Sequence, residues 1–251
     1  MEVSTFEPGD YRYIRGPFQY SAGIMAKPGF TLQRVRFAEP VPVAQGFERI
    51  EAHLEAAGRP LGAFCACELR SPGQFSDQGF IDFNRHYVGT LERWGIFRND
   101  DNPVARSNVC PEGRGPSEPS FAAFTYTVPD TSGASRPAFV IAGSGEARET
   151  KELYSERTVR HGDTTADGLR EKACFVLDVM QQRMAAFGMS WNDVTATQVY
   201  TVFDLYPFLA DEMVSRGALP HGLTWYYARP PVRGLDFEMD VRRVPAEFVI
   251  D

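Results

Sequence analysis

Apolar residues recur along this chain with two periods, near 3.6 and near 2, and these divide it into helices and strands. Over residues 45–57, Phe47, Ile50, Leu54 and Ala57 share one helical face, with Glu48, Glu51 and Glu55 on the other. Gly58 supplies the stop, and Pro60 follows two residues later. Residues 61–69, apolar and rich in small side chains, read as a buried strand. A second helix spans 79–94 through Phe80, Phe83, Tyr87, Leu91 and Trp94. Beyond the polar loop 98–102, extended segments 104–110 and 120–128 flank a turn-rich stretch holding Pro111, Gly113, Gly115, Pro116 and Pro119.

The second half repeats that order. A short apolar strand, 138–142, is closed by Gly143-Ser144-Gly145. A long helix over 165–187 carries Leu169, Ala173, Val176, Leu177, Met180 and Met184 on one face, and Gly188 ends it. Residues 194–203 alternate as a strand does, a fourth helix covers 205–216, and 223–232 with 235–244 predict a hairpin turning at Arg233-Gly234. Each half therefore reads strand, helix, strand, helix, strand, strand. Gly58 and Gly188 are 130 residues apart; Arg106 and Arg229, which open the paired strands, are 123 apart. Near-constant offsets at corresponding places mark a tandem duplication. The expected organisation is two similar α+β domains, 1–130 and 137–251, joined by a small, polar linker at 129–137.

Composition permits this, since 251 residues at 43% hydrophobic are enough for two cores. A net charge of −7 argues against a broad phosphate-binding surface, and so against nucleic acid as a partner. It leaves room for a small anion, because one buried arginine binds a carboxylate inside an acidic protein, and most of the 26 basic residues are arginine. No run approaches the roughly 20 apolar residues of a membrane span. Residues 1–10, with Glu2, Glu7 and Asp10, lack the apolar centre of a signal peptide. Cys65 and Cys67 would face one side of a strand with Ala66 opposite, a poor arrangement for a disulfide. Neither they nor Cys110 and Cys174 have partners at zinc spacing, so free thiols in the cytoplasm, and no metal site, are expected.

Four places resemble the Rid/YjgF-type enamine/imine deaminase family. Ile14-Arg15-Gly16-Pro17-Phe18 is similar to that family's N-terminal Ile-Gly-Pro-Tyr turn. Leu54-Glu55-Ala56-Ala57-Gly58 resembles its helix end, with Phe187-Gly188 and Asn192-Asp193-Val194 as a second copy. Pro103-Val104-Ala105-Arg106-Ser107-Asn108-Val109 resembles its Pro-Ala-Arg-Ser strand, with a looser copy at Ala228-Arg229-Pro230-Pro231-Val232. Phe237-Glu238-Met239-Asp240-Val241 is similar to its final strand. The resemblance implies a chorismate-mutase-like fold in each half, a mixed sheet backed by two helices, associating in threes. It further implies clefts between neighbouring domains, an arginine that binds the substrate carboxylate, and attack of water on a C=N bond without metal or organic cofactor.

That chemistry has definite requirements. An enamine must receive a proton on carbon to become an imine, water must add, and ammonia must leave after a further proton transfer. A fixed guanidinium holds a carboxylate through two parallel bonds, and a carboxyl group can shuttle the protons. Arg106 and Glu238 are the candidates for these two roles, one from each half; Phe121-Ala122-Ala123-Phe124-Thr125 offers no acid of its own. Asn108, where many relatives have a small residue, can donate to a second carboxylate or a carbonyl. Phe18 stands where a tyrosine is common, so Tyr11, Tyr13 or Tyr20 must supply any hydroxyl there. Arg15 and Arg229 are expected to add anion donors, with Phe18 and Tyr226 lining the substrate's place. Each has a plainer reading, Arg15 as a solvated turn residue, Arg229 as a strand cap and Glu238 as a solvent-facing strand position.

Extra arginines on a two-domain chain resemble the 2-aminomuconate deaminases, which would make the reaction 2-aminomuconate to 4-oxalocrotonate plus ammonia. A chorismatase-like hydrolase and a non-catalytic small-molecule-binding regulator are the alternatives. A homotrimer is the expected assembly.

Overall fold

The computed structural model describes every residue except 132, 134, 135 and 151, so part of the expected linker at 129–137 lies outside the described residues. The first half runs β1 (Val3–Phe6), β2 (Tyr11–Ile14), β3 (Gly23–Ala26), β4 (Phe30–Pro42) and α1 (Val43–Ala56), then β5 (Phe64–Arg70), α2 (Asp77–Arg93), β6 (Ala105–Pro111) and β7 (Ser120–Pro129). The second runs β8 (Phe139–Gly145), α3 (Tyr154–Arg157), α4 (Ala166–Ala186), β9 (Ala196–Tyr200) and α5 (Tyr206–Phe208). It ends with β10 (Thr224–Tyr226), β11 (Ala228–Arg229), β12 (Glu238–Arg243) and β13 (Ala246–Ile250). Helix starts are set by side-chain caps: Ser76 accepts from Gly79 N at 3.1 Å, and Thr165 from Gly168 N at 3.2 Å. Gly58 and Gly188 end α1 and α4 with φ of +64° and +74°, a backbone shape that favours glycine.

Two mixed sheets form, ordered β11-β6-β5-β7-β4-β13 and β1-β2-β3-β8-β12-β9-β10. In each, one inner strand pairs in parallel with the strand after the next helix, β5 with β6 and β9 with β10. This is the α+β order that the sequence pattern predicts for each half. On the outer face of the first sheet, Phe47, Ile50 and Leu54 of α1 and Tyr87 and Leu91 of α2 pack on Val35, Cys67 and Phe124. On the second, Leu169, Ala173, Val176, Leu177 and Met180 of α4 pack on Ile141, Val199, Met239 and Val241. The inner faces meet over Tyr11, Ile24, Leu32 and Cys65 with five alanines, Ala26, Ala66, Ala105, Ala138 and Ala142, small enough for close approach.

Four features depart from the sequence reading. The sheets do not divide at the linker: β3 joins β8, pairing Ile24 with Val140, and β13 lies parallel to β4, pairing Phe248 with Val35. The predicted hairpin does not form, because β12 inserts between β8 and β9 while β11 crosses to pair with β6 of the other sheet. Cys65 and Cys67 face opposite sides; a bulge between Phe64 and Ala66 turns Cys65 and Ala66 together toward the inner face and Cys67 toward the helices. The fourth helix is three α residues followed by a π-helical turn, Leu209–Val214. Phe208 and Met213, both buried and five residues apart, share a side in a π-turn but not in an α-helix.

A network of buried charges stands between the sheets, centred on Glu68 of β5. Arg34 grips both its oxygens, at 2.6 and 2.8 Å, and Arg242 of β12 donates to it at 2.7 Å. Burial opposes the charge on Glu68, but Arg242 and then Arg34 outweigh it and hold the carboxyl well below its ordinary range. Arg242 also bonds Asp240 at 2.9 Å and Gln198, and Asp240 accepts from Ser107 and from Tyr200 at 2.7 Å each. Removing one partner of such a network leaves uncompensated charge in a dry place. Glu68→Ala should therefore lower stability to urea unfolding by about 3–5 kcal/mol. Asp100→Ala, which breaks an exposed pair with Arg85, should stay within about 1 kcal/mol of wild type.

Candidate active site

Alternation along β6 decides what each side chain meets. Ser107 points to the opposing sheet, where it bonds Asp240, while Arg106 and Asn108 share the other face. There they line a cavity of about 360 Å³ with Tyr20, Gly143, Tyr154 and Glu238. Arg106 is 3% exposed, and neither of its terminal nitrogens has a hydrogen-bond partner. Four rings surround its guanidinium carbon, Tyr87 at 4.8 Å, Tyr20 at 5.4 Å, Phe83 at 5.7 Å and Phe80 at 5.9 Å. Aromatic faces attract a cation but accept none of its hydrogen bonds in the plane of the group. The fork is thus fixed, charged and unspent, in the arrangement that binds a carboxylate.

Glu238 opens β12 and is buried beside this fork. Burial, then the negative charges of Asp240 and Glu146, push its carboxyl well above its ordinary value, against the pull of Arg106 and Arg70. The shift favours the protonated form, the form able to give a proton. Gly143 makes room for it: a Cβ there would stand 2.3 Å from Glu238 Oε1 and 3.1 Å from Ser107 Cα. Gly143-Ser144-Gly145, read from the sequence as the close of a strand, is instead the last part of β8, glycine serving close approach rather than termination.

The strand that carries Glu238 is anchored just ahead of it. Glu146 accepts from the backbone N–H of Asp236 at 2.6 Å and of Phe237 at 3.1 Å. Lys172 of α4, fully buried, lies 3.6 Å from Glu146 and is hydrogen-bonded to Asp236. Burial raises Glu146 to about 7, opposed by the backbone donors and Lys172.

Asn108 is oriented by Ser71, whose hydroxyl donates to Oδ1 at 2.9 Å, leaving Nδ2 buried and without a partner. Of the three tyrosines that might supply a hydroxyl, Tyr20 lines the cavity, whereas Tyr13 bonds Asp101 at 2.7 Å and Tyr11 reaches Phe64 O at 3.5 Å. Two further arginines reach the cavity. Arg183 of α4 donates to Ala142 O at 3.0 Å and to Glu149 at 2.7 Å, and Arg157 lies 3.7 Å over the Tyr154 ring. The Nε of each is buried without a partner.

Arg106, Asn108 and Glu238 are therefore brought together, and the other four sequence candidates are not. Arg15 is exposed and paired with Asp101 at 2.8 Å. Phe18 turns away from its cavity-lining neighbours Pro17 and Gln19 to pack under Arg85, 3.7 Å from its ring centre. Arg229 pairs with Glu112 at 2.9 Å on the sheet edge, and Tyr226 stacks on Tyr200 at 5.2 Å. The repeat placed Arg229 opposite Arg106, but the strand that lies parallel to β9, as β6 lies to β5, is β10. That strand, Thr-Trp-Tyr, carries no arginine, and Arg229 lies beyond it on β11, paired with Cys110. Residues not singled out from sequence, Arg183 and Lys172, had a visible sign: each interrupts the apolar face of α4, three residues after Met180 and Leu169.

This chain is similar over nearly its whole length to one characterised protein. It is 54% identical over 249 residues, 99% of either chain, to 2-amino-5-chloromuconate deaminase of Comamonas testosteroni. Solved structures similar to it include a chorismatase (11% identity, 96% of this chain and 89% of that one, TM-score 0.45) and the YjgF gene product of E. coli (18% identity, 45% and 84%, TM-score 0.31). The family model described as 2-aminomuconate deaminase CnbZ matches residues 3–248, and the chain belongs to that family.

Proposed function

We propose that this protein is a deaminase that hydrolyses the C–N bond of a 2-aminomuconate-type enamine, giving 4-oxalocrotonate and ammonia. The observation that carries the reading is the unspent guanidinium of Arg106 in one cavity with the buried carboxyl of Glu238. Family membership across the full chain agrees with it and favours neither enol-ether hydrolysis nor ligand sensing without turnover.

In this reading Arg106 holds the carboxylate next to the amino-bearing carbon, through two parallel bonds that fix the plane of the conjugated chain. Glu238 gives its proton to the enamine carbon, and the electron pair of the C=C bond forms the new C–H bond as nitrogen becomes an imine. The carboxylate left behind accepts a proton from water as its oxygen bonds to the imine carbon, passes it to nitrogen, and takes the proton of the new hydroxyl as the C–N bond breaks, C=O forms and ammonia departs. One water is consumed and one ammonia released, and Glu238 ends protonated as it began. Arg106 and Arg70 stabilise the charged state between the two transfers.

The cavity is complete within one chain, so the expected homotrimer is not needed to join Arg106 to Glu238. The trimer reading is supported by exposed aromatic residues, Tyr206, Trp225 and Tyr227, and predicts sedimentation as a threefold assembly. Cytoplasmic residence belongs to the same reading, supported by the free thiols of Cys65, Cys67, Cys110 and Cys174. No helix among the described residues is long and apolar enough to cross a membrane.

Ammonia release from 2-aminomuconate, with loss of its ultraviolet absorbance, tests the function; wild-type protein that releases none refutes it. Glu238→Gln should lower kcat by about 10²–10⁴ with little change in KM. Arg106→Ala should lower kcat/KM by a similar factor, mainly through KM. Because the acid form of Glu238 is the donor, activity should fall as pH rises through its raised pKa. Glu238→Gln should lack that alkaline limb.

A further inference from the structure

With Arg15 and Arg229 outside the cavity, the sequence candidates leave only the uncharged amide of Asn108 to meet the second carboxylate of a muconate-type substrate, and no second cation. Arg183 has the features of such a seat. Its side chain is 2% exposed, it lines the cavity, and its single anionic partner among the described residues is Glu149, whose side chain is 59% exposed. A buried guanidinium needs a close anion, and a carboxylate lying mostly in water is a weak answer to that need.

The two atoms Nε and Nη2 of an arginine form one fork. Arg34 uses both to hold Glu68. Arg183 uses only Nη2 for Glu149, and its Nε is buried with no partner. Tyr20 connects this half-used fork to the catalytic end. Its ring lies against Arg106, and Arg183 acts on its hydroxyl, pulling down a pKa that burial and Tyr154 push up. A chain with carboxylates at both ends can therefore address both arginines.

We propose that Arg183 binds the distal carboxylate of a dicarboxylic substrate through its Nε–Nη2 fork, and that Glu149 is an internal stand-in which that carboxylate displaces into solvent. A dicarboxylate then replaces one-point by two-point binding and satisfies the unpaired Nε. A monocarboxylate of the same length leaves the Arg183–Glu149 pair in place and is held by Arg106 alone. Selectivity comes from this exchange of one carboxylate for another.

The inference rests on the dicarboxylate reading of the site, yet its test needs no turnover. Calorimetry would compare trans,trans-muconate with trans,trans-hexa-2,4-dienoate, the same carbon chain with one carboxylate fewer. Wild-type protein should bind the dicarboxylate at least about tenfold more tightly. Arg183→Lys should lose most of that preference while binding the monocarboxylate as before, since lysine presents a point charge rather than a fork. Glu149→Gln, a change at an exposed side chain, should tighten muconate binding several-fold and leave the monocarboxylate unchanged. An unchanged preference in Arg183→Lys, or weaker muconate binding in Glu149→Gln, overturns the assignment even if the protein deaminates 2-aminomuconate. Failure to deaminate, with the preference and its loss as described, would refute the proposed reaction and leave the subsite standing.

Discussion

A hydrogen bond of 2.7 Å between Ser107 and Asp240 joins the two sheets at the point where the chemistry is placed. Ser107 is the neighbour of Arg106, and Asp240 lies two residues beyond Glu238 on the same face of its strand. The bond is the visible end of a larger constraint, since Arg242 ties Asp240 to Glu68, and Glu68 in turn to Arg34. Buried charges of this kind add little net stability compared with well-packed apolar groups, but each tolerates few geometries. They fix how one sheet sits on the other, and with it the approach of a guanidinium carried by β6 to a carboxyl carried by β12.

That arrangement divides the cavity between the two halves. The first keeps the arginine and lacks the acid, with Ala122 and Ala123 in the corresponding strand. The second keeps the acid and has no arginine on β10, the strand that lies to β9 as β6 lies to β5. A single cavity built from both makes a complete set in each copy unnecessary. Its surroundings divide in the same way, with the aromatic cage drawn from α2 and the N-terminal turn, and the anchoring of Glu238 drawn from α4 and Glu146.

Much of this was legible in the amino-acid order. Helices at 45–57, 79–94 and 165–187 follow from periodicity and glycine stops, and their observed bounds differ by a residue or two where Ser76 and Thr165 cap them. Arg106, Asn108 and Glu238, which share one cavity, lie in motifs with local order. What remained hidden was long-range: which sheet a strand joins, and which side of it a bulge selects. The pairing of β3 with β8 and of β11 with β6 has no local signature, so the hairpin and the Arg106–Arg229 correspondence both failed. The roles of Arg183 and Lys172 depend on what a helix face meets, although a cation on an apolar stripe was itself a sign of them.

The exchange of strands at the two ends of the chain bears on inheritance as well as on shape. Residues 3–26 complete the sheet of the second half, and residues 246–250 complete that of the first. A ribosome making this chain must pass residue 246 before the earlier sheet has its final strand. Cutting the chain at its midpoint would leave each fragment with the other's edge strands and without its own. The two halves are thereby bound into a single heritable unit, open to divergence within but closed to separation.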